Sequence, residues 1–296
     1  MKIIAFDIGG TYIKYGVCNE KYKFIEEHKI PTEAKKGGQK LVEKIIDIIE
    51  SYDKIDRIAI STAGQVDSKN GIILYSTDNI PYYTGMMIKK IIENKTNIPT
   101  YVENDVNAAA LGEAHFGSAK GVDNFICLSY GTGIGGAIYL NGKLFKGTNS
   151  CAAEFGHIIT HYGGKQCSCG NEGCYECYAS AKALTDAVNK ISKTKLDGIQ
   201  IFEKENFEKP EIRSEVDKWI DEIIIGLINI IYTFNPTKII LGGGIMNEDY
   251  IIDLIDRKIY SKLMDSYKEV DIVRSKLGNK AGILGAAWGA VNLTNK

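Results

Sequence analysis

No stretch of the chain approaches the ~20 consecutive apolar residues of a membrane-spanning helix, and Met1-Lys-Ile-Ile-Ala-Phe-Asp-Ile-Gly-Gly10 enters an apolar strand without a long hydrophobic leader. Cytoplasm is therefore the expected location, with no membrane partner. Net charge is also lacking: the formal value is -1, and Lys and Arg are scattered rather than gathered into basic blocks, so the electrostatic footprint of a nucleic-acid binder is missing. A small molecule is the expected partner. Only 5 prolines punctuate the 296 residues, and no low-complexity segment or short-period repeat interrupts them. With 44% hydrophobic residues, a chain of this length is expected to divide into two domains.

Glycine and cysteine, by contrast, are clustered. The apolar run Lys2–Ile8 ends in Gly9-Gly10, and Tyr12–Cys18 resumes with alternation, which predicts a β-hairpin around a glycine turn. The pattern recurs at residues 124–130, 131–136 and 137–140, followed by Asn141-Gly142, a favoured tight-turn dipeptide. Two such openings suggest a duplicated half. Helical spacing is read at Leu41–Ile49, 83–94 and 104–115, residues 181–234 are mostly helical, Ile55–Ile60 and Thr100–Val102 are strands, and a small-residue helix covers Gly282–Val291. Mixed strands and helices define an α/β protein.

Asp7-Ile-Gly-Gly-Thr11, with Lys14 beyond it, places a carboxylate at a strand end beside two glycine amides, a hydroxyl and an ammonium, a set suited to phosphate and Mg2+. Gly131-Thr-Gly-Ile-Gly-Gly136 is a second loop that permits close backbone approach to a polyphosphate, although it is not a Walker loop, since no Gly-Lys-Ser/Thr follows. Gly242-Gly243-Gly244 follows a third strand and suits a flat purine. Cys167, Cys169 and Cys174, with a histidine upstream, make a closed Cys3His set for structural zinc. Spacing alone leaves His157 and His161 as rival fourth ligands and Cys177 as a rival thiol. Glu103-Asn104-Asp105-Val106-Asn107 reads either as a helix cap or as the seat of a catalytic base.

Together these motifs resemble the ROK family (repressor, open reading frame, kinase) of the sugar kinase, heat-shock 70 and actin superfamily, over nearly the whole chain. The resemblance rests on the three glycine motifs, on Glu103-Asn-Asp105, and on Glu154-Phe-Gly-His157 followed by Cys167-x-Cys169-Gly-x-x-Gly-Cys174-x-Glu176. It implies an α/β fold of two ribonuclease H-like (actin-like ATPase) domains with a cleft between them. The expected division is residues 1–115 plus 282–296, and residues 116–281 with the zinc loop. ATP and Mg2+ fall to Asp7, Gly9, Gly10, Thr11, Lys14, Gly131, Thr132, Gly133, Gly242, Gly243 and Gly244. Asp105 becomes the catalytic base; Gly64, Asn79, Asn104, Glu154, His157 and Glu176 hold the sugar; His157, Cys167, Cys169 and Cys174 bind structural Zn2+.

The implied activity is ATP-dependent phosphorylation of a hexose 6-hydroxyl, with glucose or N-acetylmannosamine as acceptor and β-glucosides or fructose as alternatives. A non-catalytic sugar-sensing regulator is the reading from another class. Because the first phosphate motif stands at Asp7, the extra N-terminal DNA-binding domain of the family's repressors is not expected. A homodimer is also implied. Gln65 stands where many members have Pro, and Tyr82-Tyr83 where many have Gly-Trp, so the expected cleft wall of Gln65, Asn79, Tyr82 and Tyr83 points to a substituted hexose.

Overall fold

The computed structural model describes residues 1–77 and 79–293; Asp78 and the last three residues of the 282–296 segment lie outside the described residues. The chain divides into two compact units, residues 1–121 with 144–152 and 279–296, and residues 122–143 with 153–278.

The first unit opens with β1 (Lys2–Ile8), β2 (Tyr12–Asn19) and β3 (Phe24–Pro31), continues through α1 (Gly38–Glu50) and β4 (Arg57–Thr62), and carries a small hairpin, β5 (Gln65–Asp67) and β6 (Ile72–Tyr75). After α2 (Ile88–Thr96) come β7 (Thr100–Asn104) and α3 (Asp105–Phe116). The second unit contains β8 (Phe125–Tyr130), β9 (Ile134–Leu140), α4 (Glu176–Ala179), α5 (Ala181–Ile191), α6 (Lys204–Phe207), α7 (Pro210–Phe234), β11 (Lys238–Gly242), α8 (Asp249–Ile259) and β12 (Asp271–Arg274), and β10 (Lys143–Phe145) runs across the boundary into the 144–152 segment of the first. The final helix, α9 (Ala281–Asn292), belongs to the first unit.

The sheets have the same design. Strand order is β3-β2-β1-β4-β7 in one and β10-β9-β8-β11-β12 in the other. β2 is antiparallel to both β1 and β3, as β9 is to β8, and parallel additions follow in each sheet, β4 beside β1 and β7 beside β4, and β11 beside β8 and β12 beside β11. Antiparallel neighbours need only the glycine turns seen in the sequence, whereas parallel additions need the crossovers that α1 and α7 supply.

Central strands are apolar on both faces because helices cover both sides. Ile4, Phe6 and Ile8 of β1 enter a core with Leu41, Val42, Ile45 and Ile49 of α1, while Ile3 and Ala5 face Ile283, Ala286, Ala287 and Ala290 of α9. In the second unit Ile126 and Leu128 of β8 share a core with Trp219, Ile220, Ile223 and Leu227 of α7. The helices α3 and α9 approach so closely that a Cβ on Gly285 would lie 1.7 Å from the Ala108 carbonyl oxygen, which explains their small-residue composition.

The Asn141-Gly142 turn has positive φ at both residues (51° and 75°), as its type demands. The helix expected over 83–94 starts only at Ile88: Tyr82 (φ 57°) and Gly85 (φ 83°) break the chain, and Tyr83 turns into the core. Among the described residues, no helix is long and apolar enough to cross a membrane.

Candidate active site

In the first unit, Asp7 sits at the end of β1 in register with Ser61 on β4 and Lys14 on β2. Ser61 Oγ donates to Asp7 Oδ1 (2.8 Å), and Lys14 Nζ donates to Asn279 Oδ1 (3.1 Å). Burial raises the Asp7 pKa, against the lowering effects of the Ser61 bond and the Lys14 charge. The turn beyond it is held by Gly9 N–H donating to Tyr12 O (3.0 Å) and by Thr32 Oγ1 donating to Gly9 O (2.6 Å), leaving Gly9, Gly10 and Thr11 exposed.

The capping reading of the 103–107 cluster falls to Asn104. Asn104 is the N-cap of α3: its Oδ1 accepts from the N–H groups of Val106 and Asn107 (both 3.0 Å), while Nδ2 donates to Gly64 O and Asp105 Oδ1 (both 2.9 Å). That is the full hydrogen-bonding capacity of an amide side chain. Asp105 is the first residue of the helix and also accepts from Val106 N–H at Oδ1 (2.9 Å). Its pKa is pushed up to about 6, chiefly by burial and then by the Asp7 charge, against the hydrogen bonds it accepts. The Asp7 charge thus disfavours ionisation of Asp105. Gly64 (φ 100°) adopts a backbone that favours glycine, and a Cβ there would meet Tyr75 O at 2.8 Å. Asn79 is exposed. The expected wall is corrected at Tyr83, which is buried with its hydroxyl 2.8 Å from Thr62 Oγ1, whereas Tyr82 is 92% exposed.

In the second unit, the 131–136 loop closes through Gly131 N–H donating to Gly133 O (2.9 Å), with Gly131 and Thr132 exposed. Glu176, at the start of α4, lies beneath it: Ile134 N–H donates to Glu176 Oε2 (3.4 Å), and a Cβ on Gly133 would sit 2.5 Å from that oxygen. Gly243 (φ 101°) packs against the backbone of Tyr130, where a Cβ would meet the carbonyl oxygen at 2.1 Å, whereas Gly244 has open space beside it. Gly243 thus answers to packing and Gly244 offers the bare backbone.

The ligand atoms of His157, Cys167, Cys169 and Cys174 all lie within 4.8 Å of one another. Cys167 Sγ is 3.6 Å from His157 Nδ1, and Cys169 Sγ is 3.5 Å from Cys174 Sγ. A tetrahedron with ordinary Zn–S and Zn–N bonds has edges of roughly 3.6–3.8 Å, so the donor set fits zinc. The Asn171 backbone bond is the main cause that lowers the Cys169 pKa, and burial is the main cause that raises that of Cys174, a split between neighbouring thiols that a dication would relieve. His161 is engaged elsewhere, stacked on Tyr178 and 3.6 Å from Glu222 Oε2. Glu176 Oε1 is 3.4 Å from Cys167 Sγ, so one carboxylate touches both the thiol cluster and the glycine loop. Glu154 is exposed beside a cavity of ≈ 600 Å³ lined by Ile138, Phe155, Ile158 and the end of α7.

Ser61 and Lys146 were not singled out by sequence, and Glu103 was read only as part of its motif, with no partner assigned. Ser61 is placed by strand register, and the link from Lys146 to Glu103 spans 43 positions that no local pattern connects.

A twice-repeated β-sheet of this order, with a glycine turn and a carboxylate at the strand ends, defines a protein of the actin-like ATPase fold. The ROK family model matches residues 3–292. The chain is 33% identical to a glucokinase of Streptomyces coelicolor, over 96% of each chain, and 30% identical to an N-acetyl-D-glucosamine kinase of Vibrio cholerae, over 96% of this chain and 98% of that one. A crystal structure of a ROK family glucokinase from Streptomyces griseus in complex with glucose and AMPPNP superposes with a TM-score of 0.86 at 31% identity, covering 98% of this chain and 99% of the other. The chain belongs to the ROK family.

Proposed function

We propose that the protein is an ATP-dependent hexokinase of the ROK family, transferring the γ-phosphoryl group to the sugar 6-hydroxyl with Asp105 as base. The observation that carries the proposal is Asp105 itself, a carboxyl fixed through one oxygen at a helix start and tuned to about 6. At neutral pH such a group is ionised yet basic enough to take a hydroxyl proton as that oxygen attacks phosphorus. Asp7 and the exposed glycine turns would hold the nucleotide phosphates, with Mg2+ supplying positive charge to them when bound. Gly64, Asn79, Glu154, His157 and Glu176 would orient the acceptor, and zinc on the Cys3His set would fix the loop that carries His157 and Glu176. Asn104, its amide fully engaged, would contribute chiefly by holding Gly64 and Asp105, and a direct sugar contact would replace one of those bonds.

Glucose, N-acetylglucosamine and N-acetylmannosamine are the leading acceptors, with a β-glucoside or fructose behind them. The presence of Asp105 with all three glycine loops disfavours a sensor without catalysis. ADP release coupled to a hexose panel, with Asp105→Asn as control, tests the reading. Turnover that is absent for every sugar, or equal in the variant, overturns it.

A further inference from the structure

We propose that Lys146 is a positioning residue for the acceptor side of the reaction, acting through the buried carboxylate of Glu103; the proposal rests on the sugar-kinase reading above. Glu103 immediately precedes the Asn104-Asp105 pair and is wholly buried. Its Oε1 accepts from the Asn104 N–H (3.1 Å) and from Asn107 Nδ2 (3.3 Å), and its Oε2 accepts from the Tyr101 hydroxyl (2.6 Å) and from Lys146 Nζ. The residue before Asp105 and the residue two places after it therefore hang on one carboxylate.

A buried carboxylate is costly unless a cation compensates it. Lys146, itself only 23% exposed along its side chain, is the cation paired with Glu103 among the described residues. It comes from the 144–152 segment, which belongs to the first unit although the chain on both sides of it belongs to the second. Lys146 Nζ also donates to Ser68 Oγ, in the turn between β5 and β6. The same segment reaches that hairpin again through Cys151 Sγ, which donates to Gln65 Oε1 at 3.3 Å. Asn104 Nδ2 closes the circuit on Gly64 O, at the base of the hairpin. One ammonium thus joins the hairpin that begins beside Gly64 to the segment that bears Asp105.

Such a role is separable from bulk stability. Lys146→Met keeps the apolar stem but strands the Glu103 charge, Lys146→Arg keeps the cation, and Lys146→Met with Glu103→Gln removes both charges. Displacing a reacting group by about 1 Å can cost on the order of 10²-fold, so kcat in Lys146→Met should fall by roughly 10- to 100-fold while KM for ATP moves by less than about threefold. Lys146→Arg and the double variant should each regain most of that loss. The proposal is overturned by a Lys146→Met kcat within about threefold of wild type. It is equally overturned if kcat falls only in step with the folded fraction and neither companion variant restores it. A wild type that phosphorylates no hexose overturns the kinase reading and this role with it, whereas an active wild type with an unaffected Lys146→Met overturns the positioning role alone.

Discussion

At the scale of the residue, Asp105 concentrates the consequences. Asp105→Asn is nearly isosteric, so sugar affinity should persist while turnover falls by ~10²–10⁴-fold, the usual worth of a general base; calorimetric sugar binding beside coupled-assay kcat measures both. In the parent enzyme kcat/KM should fall with decreasing pH as the carboxyl takes up its proton near 6. Stability runs the other way. The folded pKa lies above the ordinary aspartate value of 3.8, so this carboxyl's contribution to the fold is fully present below 3.8 and is lost as pH rises through about 6. Removing the charge should therefore stabilise the metal-free protein by up to ~3 kcal/mol at about pH 8 and by little at about pH 4. A melting-temperature gain that is the same at both pH values would contradict the burial argument. The sequence showed Asp105 as a candidate but left capping and catalysis undivided, because a five-residue cluster of carboxylates and amides does not reveal which side chain turns back onto the helix N–H groups. The structure gives the capping bonds to Asn104.

At the scale of the element, what was legible followed local periodicity. The α1 stripe of Leu41, Val42, Ile45 and Ile49 and the glycine turns stood out because their partners are neighbours on one helix face or across one hairpin. The edge strands β3 and β12 did not, since β3 is largely exposed and β12 has four residues, and α8 was missed although Ile251, Ile255 and Ile259 recur every four positions. The Cys3His cluster was readable from cysteine spacing, yet grouping His157 rather than His161 with the three thiols needed the resemblance and then the distances. Cys169→Ala should lower zinc content, melting temperature and sugar affinity together, because the loop bearing Glu176 loses its anchor. Metal analysis that finds no zinc in the purified parent would refute the site. For α3 and α9, Gly285→Ala would drive a methyl group into the Ala108 carbonyl, so the helices must separate; the expected loss is ~1–3 kcal/mol, read as a lower denaturant midpoint.

For the whole molecule, the repeated strand order was visible as two glycine-turn openings, because a hairpin leaves a local trace. The 144–152 segment left none, since its allegiance depends on Glu103, Ser68 and Gln65, all distant in sequence. That segment bears on acceptor choice. With Tyr83 in the core, the wall that would favour a substituted hexose shrinks to Gln65, whose amide oxygen already accepts from Cys151, and the exposed Asn79 and Tyr82. An amide at Gln65 can still meet an N-acetyl group or a second ring where the proline of many relatives offers no donor. We therefore predict that kcat/KM for N-acetylmannosamine or cellobiose at least matches that for glucose, and that Gln65→Pro moves the preference toward glucose. A parent enzyme that prefers glucose by more than about tenfold, ~1.4 kcal/mol of transition-state binding, would end the substituted-sugar idea while leaving the kinase assignment intact.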